Sequence, residues 1–526
     1  MRAPILLAAL VLACASCAKD EPPPPELATS SLLAPRVRRL SHREYRRAIS
    51  DLVGIELPAS RFPEEPVDVP FDNGPALLEV SGEQATLYMD LAEEIAHEAL
   101  QRDPARIAPP CVPPGASPSP CRDALLDVFA PRAYRRPLRP DERARLASVF
   151  DGMLALGTTS SAASEATVAA ALQAPGFLYR EELGSPVGDH RELDAWETAS
   201  SLSFFLTGGA PDTELQEAAR RGLLASPEGR RVEARRLLSS PHGREALRAF
   251  IEKWLALDRM STLTKDRGIY PEFGPELAAS MAVDLRRTLD EIVASRGSLE
   301  TLLTTRSSYP DARLARLYGI DAPASGARVE LDGSLRAGLL TRAGLLAAHS
   351  SADGSGPIGR GLFVRGALLC ASLPPPPQSI DRNVPRSETK TTRQRFSEHT
   401  SNPSCQGCHV RIDGAGFGFE SFDGTGRHRL YEGGEPVDAS GALFDADRAD
   451  GEFHGVVELE RRLLSSRALP SCFVRQVYRD AFGKAETSEE EPAIAALSTR
   501  IDARTPLEDL FLELVVSETF VRRKSE

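Results

Sequence analysis

Leu40-Ser-His-Arg-Glu-Tyr-Arg-Arg-Ala-Ile-Ser-Asp-Leu-Val-Gly54 carries the full set of signals for one helix. The Ser41 hydroxyl can accept from the N–H three residues on, and Glu44 can reach back to the N–H of Ser41, which is a capping box. Tyr45, Ile49, Leu52 and Val53 recur at helical spacing, and Gly54 supplies the stop. The same grammar recurs along the chain. Ser81-Gly-Glu-Gln84 opens a longer helix through Tyr88, Leu91 and Ile95. Asp194-Ala-Trp-Glu197 opens another through Ala199, Leu202 and Phe205 or Leu206. Ser226-Pro227 and Ser240-Pro241 each place a cap before a proline, in the first turn, where a missing N–H costs nothing. After Pro271 a stripe of Leu277, Met281, Leu285, Leu289 and Ile292 runs toward Gly297. Strand signals are sparse, Val329-Glu-Leu331 being one candidate. These stripes read as core faces of helices, and the class they predict is mainly α.

The chain has 526 residues, more than one apolar core usually serves, so several helical modules are expected. At 41% apolar it is too rich in core-formers for disorder. A net charge of -12 argues against a nucleic-acid partner, which needs a clustered basic surface. The arginines from Arg230 to Arg236 read as solvated helix faces.

The pattern changes near Ser350. From there to Gly451 the chain is rich in Gly, Pro, Ser and Asp, and includes a proline tract at residues 374–377. Regular helix returns after Val456. Inside this loop-rich stretch stands Ser404-Cys405-Gln-Gly-Cys408-His409. One helical turn separates the two thiols, a spacing that suits thioether bonds to the two vinyl groups of haem. His409 is then placed as the proximal ligand to the iron. The expected cofactor is one covalent haem c. A zinc site lacks a second Cys or His pair, and a thioredoxin-like redox pair lacks the surrounding βαβ pattern. For the sixth ligand, no Met follows Met281, which leaves histidine: His399 first, His349 second, His428 third. The run Ile412-Asp-Gly-Ala-Gly-Phe-Gly-Phe-Glu-Ser-Phe-Asp-Gly-Thr-Gly-Arg427 offers glycines for close approach to a flat ligand and phenylalanines to pack on it. Arg427 or Arg429 could pair with a propionate. Asp413, Glu420 and Asp423 are candidates for acid/base work, against turn capping and salt bridging. No nucleophile elbow, metalloprotease helix or phosphate loop is present.

The N-terminus reads as an export signal. Met1-Arg2 precedes a short apolar run that ends at Cys14 and Cys17, and Val-Leu-Ala-Cys14 looks like a lipobox, with Cys17 as the alternative. The prolines at 22–25 would form a stiff tether. The expected location is the cell envelope, as a periplasm-facing or outer-membrane lipoprotein. In an oxidising compartment Cys111 and Cys121 would pair across a Pro-rich loop, leaving Cys370 and Cys472 as a second pair.

Several stretches resemble the large exported proteins of planctomycetes and myxobacteria built from consecutive domains of unknown function, DUF1587, DUF1595, DUF1592, DUF1588 and DUF1585. Leu40 to Gly54 resembles the first. Phe129-Ala-Pro-Arg-Ala-Tyr-Arg-Arg-Pro-Leu138 resembles the second. Ala174-Pro-Gly-Phe-Leu-Tyr-Arg-Glu181 with Leu202 to Leu206 resembles the third. Gly344-Leu-Leu346, Arg360-Gly361, the prolines at 374–377 and the Cys405-to-Arg427 run resemble the fourth, a planctomycete cytochrome-like domain. Tyr478 to Gly483 and Ser517-Glu-Thr-Phe520 resemble the fifth. Gly414 stands where that family usually has Pro, and Lys484 where Arg is usual. The resemblance implies helical modules with a loop-rich, cytochrome c-like haem domain near the C-terminus. The expected layout is a signal and lipobox at 1–17, a tether at 18–35, and domains at 36–105, 106–185, 186–320, 335–452 and 453–526. The function expected is electron transfer through a His/His haem to a redox partner, with a peroxidase-like oxidoreductase or a structural, carbohydrate-binding envelope protein as alternatives.

Overall fold

The first expected helix forms as His42–Val53. Ser41 and Glu44 make both bonds of the capping box, and Gly54 ends the helix in the left-handed conformation, at φ 76°. The same chemistry starts Gly82–Arg102 at Ser81 and Ala195–Thr207 at Asp194. Ser226 and Ser240 cap Pro227–Ser239 and Pro241–Trp254. This computed structural model describes residues 32–65, 71, 74, 80–107, 118–324, 326–371, 373–374, 384–400 and 403–525. Cys14, Cys17, the tether prolines at 22–25 and Cys111 lie outside the described residues. Among the described residues the molecule is mainly helical, with short two- and three-stranded antiparallel sheets between the helices. The Val329 candidate is a two-residue strand paired with Ser307–Ser308. No described helix is long and apolar enough to cross a membrane.

The apolar stripes close into cores that do not follow the chain one module at a time. The first core gathers Tyr45, Ile49, Tyr88, Phe129, Phe150 and Phe177 from the N-terminal part of the chain. The second joins Leu202, Phe250 and Leu289 to Phe419, Leu459, Phe473 and Phe520, so the middle, the haem-motif region and the C-terminal helices share one interior. A smaller cluster around Met260, Leu277, Met281 and Leu314 lies beside it.

A seam of buried charge holds these cores together. The strand Arg36–Arg39 pairs antiparallel with Tyr179–Glu182, and the C-terminal strand Arg522–Lys524 pairs with His190–Glu192. Near the seam the Lys524 N–H donates to the Leu33 carbonyl at 2.7 Å. At its centre the buried Glu182 accepts from Arg36 at 2.7 Å and from Arg523 at 2.8 Å, with Arg38 at 3.4 Å. Burial alone would raise this carboxyl, but Arg36, Arg523 and Arg38 hold it well below the usual carboxylate range.

Within the Arg230-to-Arg236 stretch Arg235 is exposed and Arg231 and Arg236 are half-exposed, as expected of a solvated helix face, but Arg230 departs from that reading. Arg230 is buried, and its guanidinium donates to the carbonyls of Val515 at 2.8 Å and Leu224 at 3.1 Å. A fork of fixed donors satisfies backbone acceptors at helix ends that would otherwise stay unpaired. Arg360 does the same in the haem-motif region, reaching the carbonyls of Leu346, Phe419, Phe422 and Asp423. Cys370 and Cys472, which are 102 residues apart, are joined by a disulfide. The bond ties the haem-motif region to the helix Ala468–Phe482. Cys121 is also disulfide-bonded.

Candidate functional site

The Cys405-to-His409 motif lies near the start of the helix Pro403–Phe417. The expected short turn is therefore a helix that runs on through the glycines to Phe417. Glycine is a poor helix former, so tertiary contact decides the matter. A Cβ on Gly416 would come within 1.9 Å of the Pro357 carbonyl oxygen, and one on Gly361 within 2.1 Å of the Ile412 carbonyl oxygen. The helices Pro357–Phe363 and Pro403–Phe417 thus cross backbone to backbone at these two glycines. Gly414 meets the Ala442 carbonyl, and Gly441 meets both the Gly414 carbonyl and the Phe453 ring. The glycines read from sequence as room for a flat ligand are instead what lets this helix seat against its neighbours.

Along the helix, Cys405 and Cys408 are one turn apart and His409 lies one turn after Cys405, so the three project over one arc of about 100°. Both cysteines are free thiols, Cys405 buried and Cys408 exposed. Moving around the helix from that arc, Gln406, His409, Val410, Asp413, Gly414 and Phe417 line an open cleft of about 730 Å³. Neither cysteine is part of that lining, and His409 is the one residue of the motif's Cys/Cys/His set that reaches the cleft. The opposite wall is the hairpin of Ser440–Leu443 and Gly451–His454, with Phe444, Phe453 and His454, and the helix Thr392–Thr400 adds Arg393.

The His409 Nδ1 lies 3.1 Å from the Asp413 Oδ1, four residues on along the same helix. The buried carboxylate is placed to accept from the Nδ1–H of the ring, which orients the imidazole. Asp413 is thus committed to orienting His409. The other two acid/base candidates are committed elsewhere. Glu420 is buried and accepts from Ser355 and from Arg429, and burial raises its pKa against the pull of Arg429 and Arg360. Asp423 closes a turn by accepting from the N–H groups of Thr425 and Arg427.

The remaining site expectations separate. Arg427 pairs with Glu272, and Arg429 with Glu420 and Glu432, and neither lines the cleft. Arg393 does. Its guanidinium sits 4.3 Å from the Phe417 ring centroid and 3.2 Å from the Asp438 carboxylate. His349 is half-buried, stacked on Phe363 at 3.9 Å, with Nε2 at 2.9 Å from the Leu255 carbonyl oxygen, and desolvation pulls its pKa down to about 4. His428 packs edge-on against Phe422. The His399 backbone lies in the helix Thr392–Thr400, and its side chain is outside the described residues. His454 was missed, because it stands beyond the loop-rich stretch that ends at Gly451, far along the chain from the motif. No signal short of the fold could have found it.

The donor set fits haem attachment. It has two free thiols one helical turn apart and an adjoining imidazole held through Nδ1; the cleft that His409 lines mixes Phe417, Phe444 and Phe453 with Arg393 and the carboxylates Asp413, Glu452 and Glu458. Zinc is less well served, since no group of three potential ligands is clustered among the described residues.

Fold and site define a mainly helical protein with a Cys-x-x-Cys-His helix on the wall of an open cleft. Family models match in the order of the chain: PSD3 (protein of unknown function DUF1587) over residues 38–101, PSD5 (DUF1595) over 121–182, PSD4 (DUF1592) over 193–320 and PSCyt3 (DUF1588) over 336–432. The chain belongs to the family of multi-domain proteins built from these planctomycete cytochrome-like domains. No curated protein and no solved structure matches it.

Proposed function

We propose that this chain is an exported c-type haem lipoprotein that relays single electrons in the cell envelope. The observation that carries the reading is the free Cys405/Cys408 pair beside a His409 whose Nδ1 is held by Asp413 at the wall of a cleft. Cys405 and Cys408 would form the thioethers and His409 Nε2 the proximal bond. Haem held there supplies a reversible one-electron centre. The residues around it have separate tasks. Asp413 keeps the ring of His409 in one orientation and raises its basicity. Phe417, Phe444 and Phe453 give the cleft apolar walls, and Arg393, already paired with Asp438, is the one cation among its lining residues. The PSCyt3 match over residues 336–432 contains the motif and agrees with a cytochrome-like role. The Cys370–Cys472 disulfide suits an oxidising compartment, as do the export signal and a lipid anchor at Cys14 or Cys17. The redox partner would meet the motif helix on the face where Cys408 is exposed.

One observation favours a second reading, a peroxidase-like oxidoreductase. A carboxylate on the proximal histidine raises its donor strength, which favours cleavage of a bound peroxide over simple electron transfer. A spectroelectrochemical titration with peroxide added separates the two. Reversible one-electron behaviour with no peroxide turnover supports the relay. Rapid turnover of peroxide with an electron donor supports the enzyme.

A further inference from the structure

We propose that the cavity where the first three modules meet binds a small hydroxylated carboxylate, with Arg106 and Arg132 as the pair that holds its anionic group. This site lies apart from the Cys405-to-His409 motif and does not depend on haem. The cavity measures about 400 Å³, within the range of small-molecule sites, and such sites form preferentially where domains meet. Asp51 reaches it from the module at 38–101, Arg132 and Phe177 from that at 121–182, and Asp212, Thr213 and Gln216 from that at 193–320.

The carboxylates of the wall are answered from outside it, and its arginines are not answered at all. Asp51 has Arg47 at 3.2 Å and His242 at the rim, and Asp212 has Arg236 at 2.7 Å. Arg106 and Arg132 form no ion pair among the described residues; their guanidiniums reach backbone carbonyls only. The two stand together. The Leu52 carbonyl accepts from Nε of Arg106 at 3.0 Å and faces Nη2 of Arg132 at 3.5 Å, and Nη1 of Arg132 lies 3.3 Å from the Arg106 carbonyl oxygen. Burial and the charge of Arg106 both push the pKa of Arg132 down. Like charges held side by side repel each other, and a bound anion relieves that repulsion.

Capping the helix His42–Val53 accounts for Arg106, whose Nε and Nη2 reach the last carbonyls at Leu52 and Asp51. It does not account for a second guanidinium brought to the same carbonyl at the outer limit of a hydrogen bond. The fork of donors that remains matches a carboxylate. The rest of the wall narrows the class. The Gln216 amide nitrogen donates to the Pro211 carbonyl at 2.9 Å, which leaves its Oε1 to accept, and the Thr213 hydroxyl makes no hydrogen bond among the described residues. These groups suit ligand hydroxyls. Asp51 and Asp212 on the same wall disfavour a dianion such as phosphate.

The test is isothermal titration calorimetry on the full chain, with D-glucuronate as the probe and D-glucose and inorganic phosphate as comparisons. Glucuronate should bind once per chain, and glucose and phosphate much more weakly. Arg132→Gln should weaken glucuronate by about 10–100-fold, through loss of charge-assisted hydrogen bonds. A second variant guards against a folding defect in the first. Gln216→Glu changes a part-exposed side chain and adds a like charge to the wall, so it should abolish glucuronate binding while the melting temperature stays that of the wild type. Absence of glucuronate binding, equal binding of glucose, equal binding of phosphate, or wild-type affinity in either folded variant overturns the proposal.

Discussion

The seam at Glu182 and the cleft at His409 handle polar groups in opposite ways. At the seam, Arg36, Arg38 and Arg523 converge on one buried carboxylate, and the region joins the first described strand to the last. At the cleft, His409 and Asp413 of the motif helix and His454 of the opposite hairpin line open volume, and on the adjoining side of the same helix two thiols stay free, one of them exposed. A charge network closed on itself holds structure. A set of reactive groups left open and held on close-packed backbone is built to receive something.

The largest stability effect should come from the seam. Glu182→Ala would leave three guanidiniums buried without their partner, and loss of about 3–5 kcal/mol is expected in denaturant unfolding. A loss below 1 kcal/mol would mean that the seam is not what ties the chain ends together. Next comes the bridge between the two regions. Cys370→Ser with Cys472→Ser opens a closure across 102 residues and should cost about 2–4 kcal/mol. Unchanged stability would argue that the shared core alone fixes the motif region to the C-terminal helices.

Within the motif helix two glycines should differ in sign. Gly416→Ala would drive its methyl into the Pro357 carbonyl and should destabilise by about 1–3 kcal/mol. Gly407→Ala meets nothing within 4 Å and should gain up to about 1 kcal/mol of helix propensity. Equal effects at both sites would undo the account of the helix crossing.

The smallest effect concerns acid. Burial opposes ionisation of Glu486, but Arg479 and Arg475 hold its pKa at about 2, against 4.5 in the unfolded chain. Glu182 is shifted in the same direction. A depressed folded pKa means that the stabilisation is complete above the unfolded value and is lost as pH falls from about 4.5 toward 2. Glu486→Gln should therefore flatten part of the acid limb of a stability-against-pH curve. An unchanged limb would show that these pairs are not the acid-sensitive ones.

Much of the fold was legible because helix starts are local chemistry. Ser41, Ser81 and Asp194 bond to backbone within three residues, and their sequence neighbours say so. The motif was legible for the same reason. What was hidden depends on residues far apart in the chain. Gly416 is helical because of Pro357, Arg230 is buried because Val515 offers a carbonyl, and Arg427 is spent on Glu272. His454 and His409 come to line one cleft only once the hairpin has folded back on the helix.

The central claim is tested most directly by a pyridine haemochrome spectrum of the exported, matured protein beside its Cys405→Ala/Cys408→Ala variant. The account predicts a covalent c-type band, one haem per chain, that is absent from the variant. A wild type without that band, its two thiols binding zinc or closing on each other, would contradict it.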